Sequence, residues 1–243
     1  IRTYLRRMGS VALLSREGEV LIAKKIEAAE NRLLDRLLDI PLARNMIFDA
    51  AKQFVEGEIR MKVWIKGFDD DESSNNEELS EEKTRNTTKE LLSVYDKFNE
   101  LHEPVAGDDD EQERLAAIKD LRQELYQRLA DLNINRKLLA EASAKIAEMA
   151  KGMRESERDV RFYAKRLKVD EQALEQLVQQ QEKPSEAKEL SDREWERMAR
   201  NSAAAFTTVR EIGTELDMDS DAISSVYNEL LRLEKEAELA KQE

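Results

Sequence analysis

The sequence predicts an all-α fold, an irregular multi-helix bundle of long amphipathic helices with two mobile polar loops. Its 243 residues include only 7 glycines and 3 prolines, so the residues that break helices are scarce. Charged residues make up 38 % of the chain, and leucine, alanine, glutamate, lysine and arginine dominate long stretches of it. Apolar residues recur every three or four positions, whereas the alternating runs that would build a sheet are few.

The N-terminal stretch divides into two predicted helices. A short helix from Ile1 to Met8 ends at Gly9 and Ser10, because glycine terminates helices and serine caps them. A second helix covers about residues 15–39, with a serine as its N-cap and two glutamates near its positive end. An apolar stripe that begins at Ile22 predicts that this second helix packs into a core.

The first of these helices places arginines beside apolar side chains. Arg2 and Arg6 are four residues apart and share a face, while Tyr4, Leu5 and Met8 supply an aromatic and aliphatic surface next to them. This arrangement suits single-stranded nucleic acid, because arginine binds phosphate or a base edge and tyrosine or leucine packs against an unstacked base. The alternative is an ordinary short amphipathic helix whose charges are only solvated.

Two helices and an acidic loop follow. Pro41 opens a helix that ends at Gly57, and a short apolar helix around Trp64 ends at Gly67. Residues 69–82 carry eight carboxylates and no basic residue, which predicts a mobile acidic loop. A calcium site is the alternative, but the Asp-x-Asp-x-Asp-Gly pattern of calcium loops is absent, and no metal is expected.

The rest of the chain predicts six more helices and one further loop, the polar and glutamine-rich residues 179–191. Asn135 predicts a fresh N-cap within the long helical stretch, and Ser191 with Glu194 predicts a capping box. In the helix before Asn135, Leu115 is predicted to belong to the buried stripe. The predicted helices cover about residues 80–102, 108–132, 136–167, 170–179, 191–216 and 220–243.

Several kinds of site are excluded or disfavoured by composition. The chain has no cysteine, which excludes disulfides, cysteine-bound zinc and a thiol nucleophile. Its single histidine, His102, has no second histidine or cysteine as a partner, so we expect neither a cofactor nor catalysis, and the chain is not predicted to be an enzyme. No apolar run is long enough to span a membrane and no signal-peptide pattern is present, so the expected location is the cytoplasm.

Charge is distributed unevenly along the chain. The formal net charge of −13 should repel free DNA at long range. Residues 1–25, however, carry six basic residues against two acidic ones. Any contact with nucleic acid is therefore expected at the N-terminus.

The same N-terminal residues carry a family resemblance. The pattern Tyr-Leu-Arg-x-Met-Gly-x-Val-x-Leu-Leu-Ser-Arg-Glu-Gly-Glu-Val-x-Ile-Ala-Lys-x-Ile, from Tyr4 to Ile26, resembles region 1.2 of bacterial primary (housekeeping) sigma factors. Residues 27–233 resemble more loosely the non-conserved insert that precedes region 2 in these proteins. Residues 234–243 resemble the start of the helix that leads into region 2. Since the chain begins at Ile1 and stops within a predicted helix, a fragment is expected.

The resemblance implies a role in directing RNA polymerase to promoters for transcription initiation. Residues 1–26 would help to hold the non-template single strand of promoter DNA downstream of the −10 element. The implied DNA contacts are Arg2, Tyr4, Leu5, Arg6 and Met8. The implied protein partner is core RNA polymerase, chiefly its largest subunit, with the insert as an accessory surface that affects promoter escape; we expect a monomeric fragment and no membrane partner. The alternative function is an acidic helical scaffold or adaptor protein with no nucleic-acid role.

Overall fold

A computed structural model describes residues 16–66, 74–102, 111–183 and 190–242. Within those ranges the chain forms nine helices, and the one β-type contact is an isolated antiparallel bridge between Ile65 and Ile134. The all-α fold predicted from the sequence is confirmed. The helices are α1 (Arg16–Leu38), α2 (Pro41–Glu56), α3 (Met61–Trp64), α4 (Ser74–His102), α5 (Glu111–Leu132), α6 (Arg136–Leu167), α7 (Glu171–Gln180), α8 (Asp192–Leu216) and α9 (Ser220–Gln242).

The helix ends follow local sequence signals. Pro41 occupies the first turn of α2, and Gly57 ends that helix in the left-handed conformation with φ 84°. Side chains of Asn135, Asp170 and Ser191 cap α6, α7 and α8 by accepting hydrogen bonds from backbone N–H groups two or three residues later. At α8 the Glu194 carboxylate also accepts from the Ser191 backbone N–H at 3.0 Å, which completes the predicted capping box.

The larger of two hydrophobic cores in the described residues is formed by α1 to α5, the first half of α6, the second half of α8 and α9. The rings of Phe48 and Tyr95 stack in this core with centroids 3.7 Å apart. Trp64 is fully buried, and its Nε1–H donates to Thr88 Oγ1 at 3.1 Å. A buried indole N–H needs such a partner, because leaving it unpaired would cost about 1–3 kcal/mol.

A smaller core joins the second half of α6 to α7 and the first half of α8. Its buried members are Val160, Ala164, Leu167, Leu174, Trp195, Met198 and Ala205. Helices α6 and α8 belong to both cores and therefore connect the two parts of the molecule.

Two sequence predictions need correction. The acidic loop predicted over residues 69–82 overlaps α4, which begins at Ser74, so the chain is helical from residue 74 and only residues 67–73 fall outside the described part there. Glu77 and Glu78 lie near the N-terminus of α4, where the helix dipole favours negative charge. Leu115 was predicted to be buried but is 54 % exposed, because the first turns of α5 extend beyond the core that its later residues join.

The second predicted loop, residues 179–191, is also shorter than expected on its N-terminal side. Helix α7 continues to Gln180, and α8 begins at Asp192. Residues 184–189 lie outside the described part of the chain. In the described ranges no helix is long and apolar enough to cross a membrane, and no cluster of three potential metal ligands is found.

Candidate nucleic-acid interface

The residues predicted to contact DNA all lie outside the part of the chain that the structure describes. Arg2, Tyr4, Leu5, Arg6 and Met8 precede residue 16, where that part begins. The structure therefore neither brings these side chains together nor separates them. It does describe α1, which begins at Arg16, and the contacts of α1 show how this helix is joined to α2–α9, called the helical body below.

The first three turns of α1 stand clear of the core. Val20 is 50 % exposed and Leu21 is 57 % exposed, while Ile22 and Ile26 are only half-buried. Full burial begins at Ala29. The sequence pattern predicted one continuous buried stripe from Ile22, but only the second half of α1 has neighbouring helices that cover it on that face.

Helix α9 packs along α1 and holds its second half. Arg36 Nε donates to Glu229 Oε2 at 2.7 Å, and Arg32 Nη1 lies 3.1 Å from Glu236 Oε2. Since residue numbers rise along α9 as they fall along α1, the two helices are antiparallel. The last turns of α9, where Leu239 is 51 % exposed, therefore run toward the exposed start of α1.

Helix α5 contacts α1 from another side, and one guanidinium group forms ion pairs between them. Arg122 forms ion pairs with Asp35 and Asp39, the latter at 2.8 Å between Nη2 and Oδ1. Burial of the guanidinium lowers the pKa of Arg122, but the hydrogen bonds and charges of Asp35 and Asp39 outweigh it, so the pKa is raised overall. Arg122 therefore remains a cation and fixes α5 against the last turns of α1.

A third attachment involves a nearly buried carboxylate. The Glu30 side chain is 12 % exposed, accepts from Lys66 Nζ at 2.5 Å and pairs with Arg136 at the start of α6. It borders a polar cavity of about 310 Å³ between α1 and the junction of α5 with α6, which Asn31 and Asn133 also line. Two cations paired with one carboxylate compensate its loss of hydration. Glu30 therefore links α1 to Lys66, which follows α3, and to the first residue of α6.

Comparison with known protein families places this geometry in context. Residues 1–31 match the family model of region 1.2 of sigma-70 factors. Proteins similar to this chain include the RNA polymerase sigma factor RpoD of two Helicobacter pylori strains, each 33 % identical over 70 residues.

The N-terminal part of this chain is thus similar to primary sigma factors. The RpoD protein of Neisseria gonorrhoeae is also similar, with 34 % identity over 70 residues. The aligned residues cover 29 % of this chain, 10 % of each Helicobacter protein and 11 % of the Neisseria protein. The chain thus matches only a small part of the length of these relatives.

The match to region 1.2 ends within α1, close to the point where this helix becomes buried. The family match ends at Asn31, five residues beyond the end at Ile26 predicted from the sequence. It therefore contains the exposed first half of α1, up to the residues where burial begins. The last residues of this match and the residues that follow it form one uninterrupted helix, and the helical body holds the second half of that helix.

Sequence reasoning did not identify the side chains that hold α1 in place. Arg122 is 83 residues from Asp39, and Lys66 is 36 residues from Glu30. A single sequence carries no periodic signal for pairs so distant. The only available indication was the number of charged residues on predicted buried faces, which does not say which charges meet.

Proposed function

We propose that this chain acts in transcription initiation as part of a primary sigma factor that directs RNA polymerase to promoters. In this proposal residues 1–26 help to hold the non-template strand downstream of the −10 element. Arg2 and Arg6 bind phosphate or base edges, and Tyr4, Leu5 and Met8 pack against unstacked bases. The observation that carries the proposal is the match of residues 1–31 to region 1.2, which continues directly into the exposed half of α1.

The attachment of α1 supports this role in physical terms. A strand-binding segment is effective when the element behind it is fixed, because less conformational freedom is lost on binding. The ion pairs of Arg36 and Arg122 and the buried pairs of Glu30 supply such a fixed element. Any displacement of the second half of α1 relative to the body would have to break them.

The exposed apolar side chains at the start of α1 fit the same proposal. Val20 and Leu21 are large and adjacent, and they are 50 % and 57 % exposed. Burying apolar surface contributes about 25 cal/mol per Å², so such a pair favours a packed partner. We propose that this surface packs against region 2 of the same sigma factor. The helical body is then an accessory surface that contacts the largest subunit of polymerase and affects promoter escape.

The test uses the complete gene product with purified core RNA polymerase. Open-complex lifetime on a promoter would be compared between the unmodified protein and a Tyr4→Ala, Arg6→Ala variant. A Leu115→Ala, Lys119→Ala variant is the matched control, because it removes an exposed apolar side chain and a cation from the first half of α5. We expect a shorter lifetime for the N-terminal variant alone, with binding to core polymerase unchanged.

Two other results would contradict the proposal. Equal lifetimes for all three proteins would remove residues 4 and 6 from the strand contact. An absence of promoter-dependent activity from the unmodified protein would reject the sigma-factor function altogether and leave the helical scaffold or adaptor as the function to test.

A further inference from the structure

The outer surface of α6 near the smaller core is cationic, in contrast to the chain as a whole. Residues 151–168 include seven basic and three acidic side chains, whereas the complete chain has a formal charge of −13. A local excess of positive charge on an acidic protein concentrates polyanions at that surface. Only cations that are not already engaged in contacts within the molecule can bind such a polyanion.

Two of the seven cations serve the protein's own structure. Arg154 lies over the ring of Tyr227 at 4.4 Å and bonds to Ser224 and Asn228 of α9. Arg161 pairs with Glu157 at 3.1 Å and lies 3.8 Å from Glu171. These two side chains are committed to contacts within the molecule.

Three of the remaining five cations surround one exposed aromatic ring. Phe162 is 58 % exposed, with Arg158 and Arg166 one helical turn before and after it and Lys165 three residues on. We call these four residues the Phe162 face. All four are exposed, and among the described residues neither Arg158 nor Lys165 takes part in an ion pair. Arg166 acts at a distance on Glu194, whose pKa it helps to lower after the larger effect of the Ser191 hydrogen bonds.

The ring of Phe162 is supported from behind. Tyr163 packs edge-on against it, with centroids 5.4 Å apart and an interplanar angle of 71°. Asn201 of α8 donates to the Tyr163 hydroxyl at 3.0 Å and thereby fixes the supporting ring. The opposite side of α6 buries Val160 and Ala164 in the smaller core, so this part of the helix has a fixed orientation.

We propose that the Phe162 face binds single-stranded nucleic acid. An exposed aromatic ring can stack on a base, and cations spaced one turn apart on both sides of it can bind the phosphates that flank that base. The proposal goes beyond the function assigned to residues 1–26, and it revises the sequence-based expectation that nucleic acid is contacted only at the N-terminus.

Two alternative partners fit the surface less well. A protein interface needs an apolar core of several side chains, but Phe162 is the one large hydrophobic side chain exposed between residues 116 and 230 of the described chain. In duplex DNA the bases are already stacked on each other, so the ring would have no base face to contact. A single strand offers a phosphate and an unstacked base in every nucleotide.

One acidic residue on the same surface allows a substitution that should strengthen binding to a single strand instead of weakening it. Asp159 is exposed and lies three residues before Phe162, on the flank of the face. Its negative charge opposes phosphate binding. Replacing it with asparagine should therefore strengthen binding to a single strand, while a surface that never meets a polyanion would be indifferent to the change.

The experiment measures fluorescence anisotropy of a labelled oligothymidylate strand titrated with the 243-residue chain. Two starting proteins are used, the unmodified chain and a Tyr4→Ala, Arg6→Ala chain, so that binding by the N-terminal segment is separated from binding by α6. Into each are placed Phe162→Ala, Arg158→Ala with Lys165→Ala, or Asp159→Asn. The control is Leu115→Ala with Lys119→Ala and Lys137→Ala, which removes the same number of positive charges and an exposed apolar side chain elsewhere.

We expect Phe162→Ala to weaken binding about five- to a hundredfold, the range that corresponds to loss of one stacked base. The slope of log affinity against log salt should be unchanged by that variant. Arg158→Ala with Lys165→Ala should reduce the slope by about 1.4 between about 50 and 200 mM salt, because two phosphate contacts are lost. Asp159→Asn should increase affinity, the control should match its parent, and melting temperatures should agree throughout.

Three results would overturn the assignment. Equal affinity for a duplex of the same length would show that phosphates alone are bound. Tighter binding of labelled polyglutamate than of the strand would indicate an acidic protein partner. Unchanged binding in all α6 variants, with loss only in the Tyr4→Ala, Arg6→Ala chain, would reject the Phe162 face and leave the proposed function of residues 1–26 intact.

Discussion

Arg36 of α1 and Glu229 of α9 form an ion pair of 2.7 Å although 193 residues separate them in the sequence. Together with Arg32 and Glu236 they fix the register of two antiparallel helices near opposite ends of the described chain. Because α1 begins within region 1.2, the end of the helical body is joined directly to the element that carries this region.

The Arg36–Glu229 pair should make a small but measurable contribution to stability. Both side chains are more than a third exposed, at 36 % and 37 %, so solvent screens the pair and we expect a coupling of about 0.2–1 kcal/mol. A double-mutant cycle of Arg36→Ala and Glu229→Ala in urea denaturation measures it. Arg36 also contacts Asp39, so the single Arg36 variant should lose more than the Glu229 variant. Strictly additive single losses would show that the pair contributes nothing.

Arg122→Ala should destabilise the protein more than Arg36→Ala does. The Arg122 side chain is only 20 % exposed and pairs with two aspartates, which are 50 % and 41 % exposed and regain water when the arginine is lost. We expect a loss of about 1–2 kcal/mol in the free energy of unfolding, because charge-assisted hydrogen bonds are lost but neither aspartate is left buried.

Chemical denaturation would test this prediction, with Arg193→Ala as the control, since Arg193 is exposed near the start of α8. Arg122→Lys should recover only part of the loss, since an ammonium group cannot bind both carboxylates through a planar fork. The raised pKa of Arg122 keeps the arginine charged as the pH rises, so this loss should persist from neutral to alkaline pH. A loss equal to that of Arg193→Ala would contradict the assigned role.

Thr88→Val should be more damaging than its small change in volume suggests. Thr88 is fully buried, accepts from Trp64 Nε1 at 3.1 Å and donates to the Thr84 carbonyl at 2.7 Å. Valine would leave the indole N–H of Trp64 without a partner in the core, at a cost of about 1–3 kcal/mol. Thr87→Val is the matched control on the exposed side of the same turn, where water can replace the lost bond. Similar melting temperatures for the two variants would show that the indole finds another partner.

The capping box of α8 should weaken in acid. Hydrogen bonds from the Ser191 side chain and backbone lower the pKa of Glu194, so its folded pKa lies below its unfolded value. The stabilisation is therefore present above the unfolded pKa and is lost as the pH falls through the folded pKa. The hydrogen-exchange protection factors of amides in the first turn of α8, corrected for the intrinsic pH dependence of exchange, should fall over that acidic range, and Glu194→Gln should abolish this fall. Glu196→Gln, an exposed neighbour, should retain it.

The sequence predicted those features that depend on neighbouring residues. Gly57, Asn135 and the pair of Ser191 and Glu194 end or begin helices as expected, because each signal acts within a few residues along the chain. The start of α4 at Ser74 differs from the prediction, since a block of like charges predicts disorder but the helix includes Glu77 and Glu78 near its N-terminus.

Features that depend on distant residues could not be predicted in this way. Periodicity shows that a helix has a buried face but not which helix covers it, so the exposure of Leu115 and the division of α6 between two cores were not foreseen. The same distinction between local and distant features applies to the candidate nucleic-acid interface. Its DNA-contacting residues were proposed from a local motif, whereas the pairs of Glu30 and Arg122 that hold α1 appear only in the folded chain.

Helix α1 passes the end of region 1.2 at Asn31 with no glycine or proline between Glu19 and Leu38. A helix of this kind has no built-in hinge, since sharp kinks require such residues or an interrupted hydrogen-bond ladder. At about 1.5 Å per residue, its 23 residues form a rod of about 35 Å. Mechanically, α1 is a lever arm: a torque applied to its exposed first turns would be carried along the helix and resisted at Arg36 and Arg122.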